Sequence, residues 1–210
     1  MAWHVDALIA PLRYAPPLYG QLHALKFAGA RHLGRALGLL LAAELTCRGE
    51  RADALVPVPL HGARMRARGY NQAAEIARTL AAELGMRVLA SAVRREYATA
   101  AQSTLGLAGR NVNVAGAFAG TQRCAGLRVA VVDDVVTTAA TVNAVARVLR
   151  GAGAASVVAF AVARTPRLFA TGAGSDAESI VEHDAGEDGA AEPRVVQERA
   201  EALRRVARPD

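Results

Sequence analysis

Apolar residues recur along this chain with two spacings, which predict alternating helices and strands. Apolar positions three and four residues apart predict helices over residues 18–27, 32–46, 73–84 and 142–149. Short apolar runs rich in valine and alanine predict strands over residues 54–60, 88–93, 112–118, 127–132 and 156–164. Residues 1–17 contain three prolines and predict an irregular lead-in. The alternation indicates an α/β domain with a mostly parallel central sheet flanked by helices.

The most informative stretch is the turn that follows the predicted strand 127–132. Asp133 and Asp134 come first, then hydroxyl-bearing and small residues, then a helix. Open α/β sheets bind ligands at the carboxyl ends of their strands, and a helix start offers unpaired N–H groups to a phosphate. The carboxylates suit two neighbouring sugar hydroxyls or Mg²⁺. The predicted phosphate-binding residues are Val135, Val136, Thr137, Thr138, Ala139, Ala140 and Thr141.

This combination describes a ribose 5-phosphate, because a diol then lies a few ångströms from a phosphate. The alternative is an ordinary helix start, in which the acids only cap the first turn and complement its dipole. The complete ordered string favours the sugar phosphate over that alternative.

A second turn, residues 61–72, carries three arginines and follows the predicted strand 54–60. Since both turns follow strands of one sheet, they are expected at the same edge. Guanidinium groups there suit bidentate contacts to pyrophosphate. The alternatives are a solvated basic loop or a loop that binds nucleic-acid phosphates. The predicted pyrophosphate loop consists of Arg64, Arg68, Gly69, Tyr70, Asn71 and Gln72.

Residues 94–109 are polar, rich in alanine and weakly periodic, which is typical of a mobile flap or of a plain surface helix. The polar contacts of such a flap would be Arg94, Arg95, Thr99, Gln102 and Arg110. On the first predicted helix, Tyr19, Lys26 and Phe27 are candidate functional side chains, but the apolar stripe favours a packed helix pair.

Composition and charge restrict the classes of molecule that this protein is expected to bind. The 210 residues carry a formal net charge of +6, which suits phosphates, nucleotides or nucleic acid. Aromatic residues make up only 4%, which argues against a stacking platform for single strands. Residues 170–192 are acidic and nearly without large apolar side chains, which predicts a flexible linker, and residues 193–210 predict a C-terminal helix.

Cys47 and Cys124 are far apart and show no metal-ligand spacing, so we expect no zinc site. Neither a signal peptide nor an apolar run of membrane-spanning length is evident, so we expect a cytoplasmic protein without membrane insertion.

The string around Asp133 resembles the phosphoribosyl pyrophosphate (PRPP) loop of type I phosphoribosyltransferases, except that Ala139 stands where that family usually has glycine. A larger resemblance, over roughly residues 14–164, is to the ComF family, phosphoribosyltransferase-like proteins associated with bacterial DNA uptake. It is carried by residues 56–60, Arg64 and 68–73, by residues 25–27 with Gly29, and by Thr99, Gln102, Leu105, Arg110, Asn113, Gly116, Ala117 and Phe118.

The resemblance implies a type I phosphoribosyltransferase-like fold, with a small N-terminal helical hood in residues 1–50 and the α/β core in residues 51–169. It implies that PRPP or a related ribose 5-phosphate ligand binds with Mg²⁺ through Asp133 and Asp134. Arg64, Arg68 and Arg94 would be the catalytic residues of a phosphoribosyltransferase whose acceptor is open. The N-terminal four-cysteine zinc module of many relatives is not expected here.

Two other functions stay open. One is a non-catalytic competence factor that binds single-stranded DNA and recruits DNA-processing proteins during DNA uptake. The other is a sensor of PRPP or a nucleotide without turnover. An alanine in the phosphate loop favours both of these functions over the enzyme. Homo-oligomers are compatible with each.

Overall fold

A computed structural model gives the structure of residues 2–96 and 117–165. Its centre is a six-stranded parallel sheet in the order β1-β8-β7-β3-β4, with β2 also paired to β8. The strands are β1 (Ala7–Ile9), β2 (Leu12–Arg13), β3 (Ala54–Pro57), β4 (Arg87–Val88), β7 (Arg128–Val136) and β8 (Ser156–Arg164). A separate antiparallel pair joins β5 (Val93–Arg95) to β6 (Phe118–Gly120).

The helices are α1 (Leu18–Phe27), α2 (His32–Cys47), α3 (Gly62–Arg68), α4 (Gln72–Leu84) and α5 (Ala140–Gly151), with a short 3₁₀ turn at Gln122–Cys124. Helices α1, α2 and α4 pack on one face of the sheet, in a core that includes Leu22, Leu41, Ile76 and Phe160. Helix α5 packs on the other face with β5 and β6. Residues 129–132 of β7 are therefore buried between two layers of helices, which explains their unbroken apolar run.

Helices α2 and α4 approach closely because two glycines of α2 face α4. A Cβ atom on Gly34 would lie 2.8 Å from Cβ of Glu75, and one on Gly38 would lie 2.6 Å from Cβ of Thr79. The helical hood expected in residues 1–50 is thus packed tightly onto α4, one of the helices that flank the sheet.

Several boundaries differ from the predicted ones. Residues 7–13, predicted as part of an irregular lead-in, form β1 and β2 and extend the sheet beyond β8. The predicted strand 88–93 is two separate strands, β4 and β5. Residues 62–68, predicted as part of a loop, form the short helix α3, at whose start His61 Nδ1 accepts a hydrogen bond from the N–H of Ala63.

Some predictions fall on residues that the structure does not describe: the flap residues Thr99, Gln102 and Arg110, most of the predicted strand 112–118, the linker 170–192 and the helix 193–210. Within residues 2–96 and 117–165, each helix is too short or too polar to cross a bilayer.

Candidate functional site

Strand β7 extends further than its sequence predicts, so Asp133 and Asp134 lie within the strand instead of in the turn. Its pairing with β8 continues to Val136, opposite Arg164. Its pairing with β3 ends at Val132, opposite Pro57. Pro57 and Pro59 lack an N–H to donate, which limits β3 to four residues. One edge of β7 is therefore left without a partner strand from Asp133 onward. The candidate site lies where the pairing with β3 ends.

The turn after β7 forms a concave surface around the start of α5. Asp133 and residues 135–142 line it. Thr137 and Thr138 are exposed, and α5 begins without a side-chain hydrogen bond to its cap. The first N–H groups of a helix lack intrahelical acceptors, so this surface presents N–H and hydroxyl donors at the positive end of the helix dipole. It is suited to hold a phosphate-sized anion.

Ala139 has φ +57° and ψ 4°, and it is the one residue other than glycine with a positive φ in the part of the chain described here. The sequence therefore places a Cβ at a position that favours glycine. The left-handed region costs an L-residue roughly 1–2 kcal/mol, so the turn carries a strain that the packing of β7 and α5 maintains.

Asp133 is half-buried at the edge of this surface. Its Oδ1 accepts a hydrogen bond of 2.9 Å from the N–H of Asp134, which fixes the carboxyl against its own strand. Burial raises the pKa of Asp133 well above its ordinary value, and the neighbouring Asp134 carboxyl raises it further, while Lys26 acts in the opposite direction. A ligand that supplies hydroxyl donors or a cation would stabilise the charged form.

Asp134 faces away from the concave surface. It is buried, and its Oδ2 lies 2.7 Å from Nζ of Lys26 on α1. The distance defines an ion pair, although this Oδ2 makes no hydrogen bond of good angular geometry. The two adjacent carboxyls therefore have different neighbours, although they interact with each other: Asp133 borders the concave surface, and Asp134 attaches the N-terminal helix to the sheet. Sequence patterns favoured a packing role for α1 and did not identify this pair.

Arg68 lies where α3 meets α1. Its guanidinium donates to Oε1 of Gln72 and lies 5.4 Å from the centre of the Phe27 ring. Burial lowers the pKa of Arg68, an effect opposed by the negative charge of Asp134 and reinforced by Arg64. The charges of Arg68 and Asp134 therefore interact, whereas Arg64 is exposed to solvent on α3.

The remaining residues of the predicted pyrophosphate loop have structural contacts of their own. Gly69 adopts φ +79° and ends α3. The buried Tyr70 donates through its hydroxyl to the carbonyl of Leu25 on α1. Asn71 caps α4 through the N–H groups of Ala73 and Ala74, at 3.0 and 3.4 Å, and its amide donates to the carbonyl of Val58.

These contacts explain why an arginine, glycine, tyrosine, asparagine and glutamine follow one another. Together these contacts hold α3 against α1 and begin α4. Arg64 and Arg68 are thus presented by α3, and the residues that follow them fix the position of that helix.

On β5, alternation separates the two adjacent arginines. Arg94 is exposed, whereas Arg95 is partly buried with its guanidinium 5.3 Å from the centre of the Phe118 ring. Burial lowers the pKa of Arg95, Arg64 lowers it further, and Asp133 raises it. The structure thus brings Arg95 within electrostatic reach of Asp133 and Arg64.

The described residues suit a magnesium ion that is held mainly by the phosphates of a bound substrate. Within the described residues, His, Cys, Asp and Glu side chains form no cluster of three or more that could hold a metal. Asp134 is already paired with Lys26, which leaves Asp133 as the carboxylate at the concave surface. Mg²⁺ commonly binds through one or two carboxylates plus substrate phosphates, and Asp133 suits that arrangement.

Residues 53–170 match the phosphoribosyl transferase domain family. The chain belongs to this family. It is also 36% identical over 163 residues to DNA utilization protein YhgH of Escherichia coli (strain K12), covering 75% of this chain and 72% of that protein. Competence protein F of Haemophilus influenzae is 31% identical over 167 residues, covering 76% and 73%. The resemblance to the ComF family and the predicted α/β phosphoribosyltransferase fold are confirmed.

Among solved structures, the B. subtilis glutamine PRPP amidotransferase complexed with ADP and GMP aligns with 68% of this chain and 30% of its own. The TM-score is 0.47 and the identity is 19%. This likeness is too distant to inform the site.

Proposed function

We propose that this protein binds PRPP, or a related ribose 5-phosphate ligand, at the turn between β7 and α5. The observation that carries the proposal is the uncapped start of α5 beside a carboxyl, because one surface then offers donors for a phosphate and an acceptor for sugar hydroxyls. The N–H groups and hydroxyls of residues 137–141 would bind the 5-phosphate. Asp133 would accept hydrogen bonds from the ribose hydroxyls.

The arginines around this turn suit the pyrophosphate group. Arg64 and Arg68 of α3 and Arg95 of β5 are coupled electrostatically to one another or to the two aspartates. In a transferase they would stabilise the negative charge that develops on pyrophosphate as its bond to C1 of the ribose breaks. Mg²⁺, when bound with PRPP, would neutralise pyrophosphate oxygens. An acceptor nucleophile would then bond to C1 and lose its proton.

In this proposal Asp134 has a positioning role, whereas the neighbouring Asp133 binds the sugar. With Lys26 at 2.7 Å, Asp134 would hold the end of β7 and so position Asp133, instead of binding the sugar directly. Direct contact with a ribose hydroxyl would require Lys26 to move away from Asp134.

A binding comparison separates the two halves of the site. Thermal shifts should be measured with Mg²⁺ and ribose 5-phosphate, pyrophosphate or PRPP. We expect ribose 5-phosphate and pyrophosphate each to stabilise the protein, and PRPP to stabilise it most. Asp133→Asn should weaken the effect of ribose 5-phosphate more than that of pyrophosphate, which the arginines also contact. No stabilisation by any of the three would contradict the proposal.

Turnover is tested separately by pyrophosphate release from PRPP in the presence of candidate acceptor bases. Release with one acceptor would establish a phosphoribosyltransferase, and binding without release would establish a sensor.

A second candidate function is DNA handling, as the names of the relatives suggest. The observation that favours it is a pair of segments without acids: residues 7–43 and 54–74, which include α1 and α3, contain arginines and a lysine but no aspartate or glutamate. The exposed arginines of these segments, Arg64 and Arg66 among them, attract a polyanion. The test is binding of single-stranded DNA at increasing salt, which should weaken steeply if phosphate contacts dominate.

A further inference from the structure

Helix α1 carries a row of aromatic side chains on its exposed side. The ring of Tyr14, which precedes the helix, lies 5.3 Å from that of Tyr19. Tyr19 and His23 are stacked at 6.2 Å, and His23 lies 4.8 Å from Phe27. The Arg68 guanidinium closes the row, 5.4 Å from the Phe27 ring. Below, these five residues are called the aromatic row.

The core accounts for only part of this row: Tyr14 packs partly against it, whereas Tyr19 is 50% exposed and Phe27 is 68% exposed. The other face of α1 buries Leu18, Leu22 and Leu25, which suffices to attach the helix to the domain. Aromatic pairs four residues apart stabilise a helix by only about 0.2–0.5 kcal/mol. Placing the three rings of Tyr19, His23 and Phe27 in line on one exposed face therefore calls for a ligand.

The surroundings of the row are cationic. Helix α3 contacts the end of α1 and carries Arg64, Arg66 and Arg68, and Arg13 precedes Tyr14. Two acids of the adjoining elements are already paired, Asp134 with Lys26 of α1, and Glu75 of α4 with Arg31 and Arg78. Flat apolar rings inside a field of guanidinium groups match the chemistry of a single-stranded nucleic acid, whose bases stack while its phosphates are neutralised.

We propose that the aromatic row is a stacking site for single-stranded DNA. This site rests on the DNA-handling part of the proposed function, and it adds where and how the strand would bind. From Tyr19 to Phe27 the helix rises about 12 Å, enough for roughly three to four nucleotides at their spacing along one strand. The low overall aromatic content argued against a stacking platform, but here the few aromatic residues are brought together.

The decisive experiment separates stacking from charge. Fluorescence anisotropy should follow a labelled oligothymidylate of about 20 nucleotides, a length that exceeds the row. Tyr19→Ala/Phe27→Ala should weaken binding roughly tenfold or more, with an unchanged slope of log affinity against log salt. Arg64→Ala/Arg66→Ala should instead reduce that slope. Leu39→Ala, a matched control on α2 with a side chain 40% exposed outside the row, should bind as the wild type does.

A direct reporter of stacking is available because the chain has one tryptophan, Trp3. In Trp3→Phe/Phe27→Trp the new indole lies in the row, and single-stranded DNA should quench its fluorescence, whereas a duplex of the same length should not. Tyr19→Phe should retain the affinity of the wild type, since its ring is preserved.

Three results would overturn the proposal. The first is a row variant that binds DNA as tightly as the wild type does, which would leave DNA handling to the arginines alone. The second is tighter binding of oligouridylate than of oligothymidylate. The third is loss of a dimer in the row variant by light scattering, without loss of DNA binding, which would assign the row to self-association. PRPP binding is measured independently, so its failure would be distinguishable from each.

Discussion

Nζ of Lys26 lies 2.7 Å from Oδ2 of Asp134, and this ion pair connects the N-terminal helix α1 to the ligand edge of the central sheet. Asp134 is 4% exposed in its side chain, and Lys26 is 24% exposed. The neighbouring Asp133 borders the concave surface at the start of α5. One of two adjacent carboxyls thus pairs with α1, and the other lies at the concave surface.

Replacing Lys26 by methionine should destabilise the protein, because Asp134 would be left buried without a counter-charge. We expect a loss of about 2 kcal/mol in the free energy of unfolding, below the usual 3–5 kcal/mol for a fully buried pair since Lys26 is partly exposed. Urea denaturation measures this. Lys26→Met/Asp134→Asn should recover part of the loss, and a double variant that is no more stable than Lys26→Met would contradict the ion-pair account.

Asp133→Asn should stabilise the protein at neutral pH and have little effect in acid. The pKa of Asp133 is higher in the folded chain than in the unfolded chain, so folding takes up a proton between the two values. The wild type therefore loses stability as pH rises through that window, and the uncharged asparagine does not. Melting temperatures from about pH 4 to pH 8 should show a growing gap in favour of Asp133→Asn.

Asp134→Asn is the control for this pH profile. It removes the partner of Lys26, so it should destabilise the protein at neutral pH although it also deletes one negative charge. Equal effects of the two variants would contradict the different roles assigned to the two carboxyls.

Ala139→Gly should stabilise the protein by about 0.5–1 kcal/mol. Glycine relieves the strain at φ +57°, and this gain exceeds the entropy that glycine adds to the unfolded chain. Removing the methyl group should also bring a phosphate closer to the turn and tighten ribose 5-phosphate binding. The neighbouring Ala140→Gly, at the first position of α5, should destabilise by about 1 kcal/mol. Calorimetric unfolding of both variants measures these changes in stability. A less stable Ala139→Gly variant would contradict the expectation.

Gly38→Ala should destabilise the protein by about 1–3 kcal/mol, because its Cβ would lie 2.6 Å from Cβ of Thr79 and force α2 away from α4. Gly20→Ala on α1 is the matched change, since no atom lies within 4 Å of the added Cβ. That variant should gain up to about 1 kcal/mol of helix propensity. Chemical denaturation of the two proteins side by side measures the difference.

The sequence predicted the layers of this fold well because its long elements have clear periods. Helix α1 and strand β8 have the predicted bounds, and α2 differs by one residue. Strands of two or three residues, such as β1 and β2, were missed because so short a run has no period to detect. Their place is set by pairing with β8, more than 140 residues away.

Sequence patterns predicted only the part of the candidate site that one continuous segment forms. The turn around Thr137 lies where the pattern indicated, and Ala139, where the resembling family usually has glycine, is left-handed. The pairing of Lys26 with Asp134 and the inward position of Arg95 depend on how distant segments pack. For the same reason, Tyr70 and Asn71 suggested ligand contacts by their chemistry, whereas their hydrogen bonds are to Leu25 and to the start of α4.

The most direct test of the central claim is a calorimetric titration of the full chain with PRPP and Mg²⁺. The account predicts saturable heat from the wild type, a loss of affinity of roughly tenfold or more in Asp133→Ala, and unchanged binding in the surface control Leu39→Ala. Binding of equal strength in Asp133→Ala, or no heat from the wild type while its fold is intact, would contradict a sugar-phosphate site at this turn.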